Sequence, residues 1–132
     1  MKKISLLLLI VVFITTASFT LLQTKPWNVP ADKAKIVNPV KSDAGSIASA
    51  KTLWSQHCAS CHGKTGLGDG TKAAQLDTTP PDFSKAATQG QSDGSLFYKT
   101  AEGRDDMPGF KKKIPDQEDI WSLVNYMRTF KK

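Results

Sequence analysis

The sequence predicts an all-α domain over residues 46–132, preceded by an export segment and a proline-rich leader. Three observations predict it. Apolar residues recur at helical spacing in three stretches, no segment sustains strand-like alternation, and runs rich in glycine and proline separate the three. No internal repeat is visible, and 132 residues leave room for one small domain.

Residues 1–22 come first. Lys2 and Lys3 precede an apolar run over residues 4–14, and small residues follow, the order of a secretory signal with a cut after Ala17. If uncut, residues 4–22 supply 19 positions, close to the ~20 that span a bilayer as a helix. Cleavage and retention as an inner-membrane anchor both stay open. Either way the domain is expected in the periplasm or an equivalent extracytoplasmic space. No cysteine lies nearby to carry a lipid.

The whole chain carries 18 basic and 12 acidic side chains, a formal +6. Without Lys2 and Lys3 the excess is +4, and residues 46–110 are near neutral with six basic and seven acidic groups. No Arg/Lys stripe interleaves with aromatics, and export argues against a nucleic-acid partner. Most of the surplus lysines read as a solvated, solubilising surface.

Residues 23–45 hold Pro26, Pro30 and Pro39 among few apolar residues. Proline removes a donor and disfavours helix in the residue before it, so an extended linker is expected. Trp27, Val29, Ile36 and Val40 leave open whether it lies across the domain.

Within residues 46–132, Ser46 is expected to cap a helix running to about His57, with Ile47, Ala50, Leu53 and Trp54 on one face. Four glycines between Gly63 and Gly70 then forbid regular structure, and the loop continues through Pro80 and Pro81. Ser92 or Asp93 starts a short helix that Gly103 stops. Asp116 caps a last helix from Gln117 to about Phe130, with an apolar stripe of Ile120, Leu123, Val124 and Met127. Its acids lie in the first turn and Arg128 near the end, as the helix dipole favours.

A domain of 87 residues, half of it loop, is small. A core of that size rarely supplies more than ~3–5 kcal/mol without a staple. The staple is sought in "HCASCHG", residues 57–63, which holds both cysteines and both histidines of the chain. Structural zinc needs two ligand pairs well separated in sequence, and there is no second pair. A thioredoxin-like dithiol needs a strand before the first cysteine within a βαβ unit, whereas here a helix precedes Cys58. The remaining reading is covalent haem, since Cys58-Ala59-Ser60-Cys61-His62 fits the C-x-x-C-H attachment pattern. Two thiols add across the two vinyl groups on one porphyrin edge, and His62 turns its imidazole to the iron. The macrocycle then provides the missing core.

His57 adjoins Cys58, on the same edge of the macrocycle, so it cannot reach the far face and is expected at the surface. Met1 lies in the export segment and Met127 in an apolar stripe. Met107, in the irregular "RDDMPGF" loop, is the expected sixth ligand, with Pro108 stiffening the loop. Met/His ligation raises the reduction potential.

On these residues the chain resembles class I (mono-haem, C-x-x-C-H) cytochromes c over essentially all of residues 46–132. The resemblance implies the small all-α fold of that family, with helices and loops wrapped around one haem c. It implies thioethers at Cys58 and Cys61, proximal His62, and distal Met107 followed by Pro108. Ala50 and Trp54 match the small-x-x-x-aromatic pattern of the first helix, with Tyr126 of the final helix packing against it. "TTPPDF" matches the family's proline loop, so a Pro80 or Pro81 carbonyl is expected to accept from the His62 ring. Leu96, Phe97 and Phe110 are expected as pocket walls. Ala50 stands where glycine is more usual, and residues 23–45 lie outside the family core.

The implied function is one-electron transfer by a periplasmic carrier, without catalysis and without a small-molecule substrate. The alternative is a membrane-anchored haem subunit of a larger respiratory or oxidoreductase complex. Less favoured is a haem enzyme or gas sensor with a displaceable sixth ligand. The expected partners are a redox donor and acceptor, docked through a small interface that Lys111, Lys112 and Lys113 help to steer.

Overall fold

The structure is a computed structural model that describes residues 26–132. The export segment expected over residues 1–22 lies outside the described residues. Among the described residues six helices follow in order: α1 (Ala31–Ala34), α2 (Ala44–His57), α3 (Ala59–His62), α4 (Ala86–Gln89), α5 (Asp93–Glu102) and α6 (Gln117–Arg128). A 3-10 turn, Ala73–Gln75, interrupts the long loop after α3. Among the described residues there is no strand, only an isolated bridge between Arg104 and Met107. The fold is all-α.

The two long amphipathic helices, α2 and α6, pack against each other, and α5 packs on α6. Ala50 and Trp54 are the buried residues of α2. Ile120, Leu123, Val124 and Met127 line the buried side of α6, and the first three are at most 1 % exposed. Burying each aliphatic side chain stabilises by about 1.5–3 kcal/mol, so this seam is a main source of cohesion. Tyr126 meets Trp54 edge to face with ring centroids 5.9 Å apart, as the sequence anticipates. Phe130 adds a further edge contact to Trp54 at 5.1 Å.

The helix ends follow the caps with two differences. α2 begins earlier than Ser46 alone suggests: Asp43 is its cap, accepting from the Ser46 backbone N–H at 2.9 Å. Ser46 returns the bond, its hydroxyl accepting from the Asp43 N–H at 3.1 Å. The pair forms a capping box, which satisfies two donors at once. That hydrogen bond from Ser46 holds the Asp43 carboxyl below its ordinary range. Ser92 caps α5, and Gly103, at φ +71°, stops it. Asp116 caps α6 through the Glu118 N–H. α6 ends at Arg128, two residues short of Phe130, and the Arg128 side chain reaches α4 and α5. Its guanidinium donates to Asp93 Oδ1, to the Gln89 carbonyl at 2.7 Å and to the Gln91 carbonyl at 2.6 Å.

The leader is not simply extended. Residues 31–34 form the helical turn α1, in which the Lys33 and Ala34 N–H groups bond to the Pro30 carbonyl. α1 rests on α5. Asn38 and Asn125 tie the following residues to α6.

Candidate haem site

Cys58 ends α2 and begins α3, so the two cysteines and His62 lie on consecutive helical turns. The Cys58 N–H bonds to the Trp54 carbonyl at 2.9 Å, and the His62 N–H to the Cys58 carbonyl at 2.9 Å. The glycine loop then folds back over this turn. Gly68 N–H donates to the His62 carbonyl (2.9 Å), Gly70 N–H to the Cys61 carbonyl (3.1 Å) and Lys72 N–H to the Ser60 carbonyl (2.8 Å). The approach at Gly70 admits no side chain, since a Cβ there would stand 2.4 Å from the Ser60 carbonyl oxygen. Gly63 adopts φ +81°, the left-handed region that lets the chain reverse directly after His62. Its carbonyl accepts from the buried Trp54 indole N–H at 2.9 Å.

His62 is thereby held between two rings. Trp54 lies 5.7 Å away and Phe83 5.5 Å, centroid to centroid. Burial pulls the His62 imidazole down to about 4, so it is neutral at physiological pH with a lone pair available to a metal. Burial, with the nearby Cys61, pushes the Cys58 thiol up to about 12. Neither cysteine is tied up in a disulfide.

Met107 comes from the other direction. Gly103, at φ +71°, reverses the chain after α5, and Arg104 and Met107 exchange backbone hydrogen bonds of 2.8 and 2.9 Å. Phe110 N–H then rejoins α5 at the Thr100 carbonyl, 3.0 Å. Asp106 pins the loop from outside, its carboxylate accepting from the Asp77 N–H (2.8 Å) and the Thr78 N–H (3.3 Å).

These two constructions face one cavity of about 340 Å³, within the range of small-ligand and cofactor sites. Cys58, Cys61, His62 and Met107 all line it. Its walls include Pro80, Pro81, Phe83, Leu96, Phe110 and Met127. His57, expected at the surface, is half-buried and also lines the cavity, its ring 6.0 Å from Phe110. Two expectations need correction. Phe97 is not a wall of this cavity; it stacks on Trp121 at 4.0 Å on another side of α5. Neither the Pro80 nor the Pro81 carbonyl accepts from His62, whose Nδ1 is buried without a hydrogen-bond partner. The Pro80 carbonyl turns instead against Gly68, 2.4 Å from where a Cβ would stand.

The residues present fit a covalently attached haem. Two cysteines outside any disulfide, a neutral imidazole with an unmet ring nitrogen and a thioether converge on one largely apolar space. Sequence reading missed Pro26, Trp27 and Arg104 among the lining residues. Trp27 stands out in the linker, but nothing local says where a linker docks.

A family model described as cytochrome c oxidase, cbb3-type, subunit III matches residues 45–127. The chain belongs to that family. A relative, the cbb3-type cytochrome c oxidase subunit CcoP of Azospirillum sp. (strain B510), is 33% identical over 94 residues, or 69% of this chain. The match covers 31% of that relative, so the chain spans about a third of its length. Among solved structures, a c-type cytochrome, KustC0563, is 32% identical with a TM-score of 0.56, over 63% of this chain and 98% of that one. The Kuenenia stuttgartiensis reducing HAO-like protein complex Kustc0457/Kustc0458 shares the fold. Its TM-score is 0.65 at 21% identity, over 84% of this chain and 53% of that one. As a member of the cbb3-type subunit III family, the protein is a mono-haem c-type cytochrome. It carries covalently bound haem c and functions in electron transport.

Proposed function

We propose that Cys58 and Cys61 hold the haem through thioethers, that His62 and Met107 are its axial ligands, and that the protein is a periplasmic one-electron carrier. The observation supporting this most directly is the convergence of those four side chains on one cavity. When bound, the haem supplies a one-electron Fe(III)/Fe(II) couple. The chain's own part is to hold and shield it. Trp54 and Phe83 fix the His62 ring, and the Arg104–Met107 bridge presents the thioether from a preformed loop. Held by both His62 and Met107, the iron would offer no position to a substrate, and the protein would act by electron transfer alone. Donor and acceptor are redox proteins docking transiently near the cavity rim.

A second reading has a specific observation behind it. The relative named as an oxidase subunit is about three times as long as the matched region, and residues 4–22 are apolar enough to anchor a subunit. Among the described residues no helix is long and apolar enough to cross a membrane. Fractionation of expressing cells, with the mass of the native N-terminus, separates the two. A carrier appears in the periplasmic fraction with its N-terminus cut near Ala17. A full-length N-terminus in the membrane fraction overturns the carrier reading in favour of the subunit. Redox titration of the purified protein is expected to give one reversible one-electron wave in either case.

A further inference from the structure

Residues 26–40 precede the region that the family model matches, which starts at residue 45, yet the structure seats them firmly on the domain. Ser92 Oγ donates to the Ala34 carbonyl at 2.6 Å. Asn38 Nδ2 donates to the Trp121 carbonyl at 3.1 Å and to Asn125 Oδ1 at 2.9 Å. Asn125 Nδ2 donates to the Val40 carbonyl at 3.0 Å. The closest approach is at Gly94, buried within α5. A Cβ there would stand 2.2 Å from the Lys33 carbonyl oxygen and 2.9 Å from that of Ile36. A glycine inside a helix costs about 1 kcal/mol relative to alanine. The leader crossing at that point gives the physical reason for it.

The upstream end of this seated segment reaches the haem cavity. Pro26 and Trp27 both line it, and Trp27 is half-buried. The Pro26 carbonyl accepts from Arg104 Nη1 at 3.0 Å. The Arg104 guanidinium lies 4.6 Å from the centre of the Trp27 ring, and the Lys99 ammonium 5.4 Å from it. Both cations face the ring, whose electron-rich face attracts them. Arg104 is the residue whose backbone pairs with Met107. One guanidinium residue therefore joins the leader to the Met107 loop.

We propose that the leader is a strap across the Met107 side of the haem cavity, with Trp27 closing its rim. This rests on the assignment of Met107 as the distal ligand. A bulky indole over that rim excludes water from the cofactor and blocks small ligands that compete with the thioether. Lower solvent access disfavours the more highly charged ferric state, so the strap raises the reduction potential.

The test uses the full-length holoprotein, with imidazole as the competing ligand for the ferric form. Trp27→Ala is expected to bind imidazole at least about tenfold faster, equivalent to about 1.4 kcal/mol of lost protection. Its potential falls, while the haem stays covalently attached. Trp27→Phe, which keeps an aromatic ring, stays near the native rate and potential. Gly94→Val lifts the strap at residues 33–36 without touching the cavity, so it moves both readouts in the same direction as Trp27→Ala. Native rates and potential in Trp27→Ala overturn the strap, and should Gly94→Val fail to fold, the alanine–phenylalanine pair decides alone. The spectrum of the unmutated ferric protein is read first. If the charge-transfer band of methionine-bound Fe(III) is missing there, the Met107 assignment fails. The strap is then still judged by the potential of Trp27→Ala.

Discussion

The two sides of the haem cavity are built in opposite ways. On the cysteine side, residues 54–72 make a nearly self-sufficient unit. Trp54 bonds to Gly63, and Gly68, Gly70 and Lys72 bond back onto His62, Cys61 and Ser60. All of those partners lie within about a dozen residues of one another. The Met107 loop adds distant ties to its local Arg104–Met107 and Phe110–Thr100 bonds: Asp106 reaches Asp77 and Thr78, and Arg104 reaches Pro26, 78 positions distant. Local contacts cost little loop-closure entropy, whereas distant ones form only when the whole domain is in place. On the proposed assignment, attachment would draw mainly on a short segment, and distal ligation on the tertiary fold as well.

The largest expected effect breaks the local side. Replacing Cys58 and Cys61 together with alanine removes both thioether positions. Denaturing electrophoresis with haem staining should then show no haem migrating with the chain, while a Met107→Ala control retains it. Staining that persisted in the double variant would refute the attachment site.

Next in size is Arg128→Ala, which acts on the fold that both sides share. Arg128 donates to Asp93, Gln89 and Gln91 at once, and hydrogen bonds to charged groups contribute about 1.5–3 kcal/mol. Loss of about 2–3 kcal/mol is expected in denaturant unfolding of the holoprotein, with the visible spectrum of the folded state unchanged. A smaller effect, restricted to the distal side, comes from Asp106→Ala. Removing the acceptor for two backbone N–H groups should loosen the Met107 loop by about 1 kcal/mol. On warming, the methionine–iron band is then lost at a lower temperature than in the native protein, while the global melting temperature moves little. Equal shifts in both would show that the loop is no weaker than the rest.

The same contrast explains what the sequence could reveal. The all-α fold was legible because three stretches carry helical periodicity and none alternates, and the caps at Ser92 and Asp116 lie beside the helices they start. The cysteine–histidine segment was legible as a unit because its chemistry is contiguous. Arg128 read as a helix-dipole residue, since nothing near it in sequence announces Asp93 or Gln89 as partners. The true cap of α2, Asp43, was overlooked in favour of Ser46 because both residue types cap and only the backbone geometry separates them. Phe97 was expected as a cavity wall from the family resemblance. Adjacent helical residues point about 100° apart, and it stacks on Trp121 instead. Trp27 was visible as an apolar residue in a polar linker, but the linker that carries it packs at residues 33–36 against Gly94, far away in sequence.

The central claim is that Met107 and His62 meet across one haem, joining the locally built side to the tertiary one. The most direct measurement is the visible spectrum and reduction potential of the purified ferric protein beside Met107→Ala. The account predicts a methionine–iron charge-transfer band in the native protein and none in the variant. The variant's potential should be lower, and its iron open to added imidazole. An unchanged band and potential in Met107→Ala would contradict it.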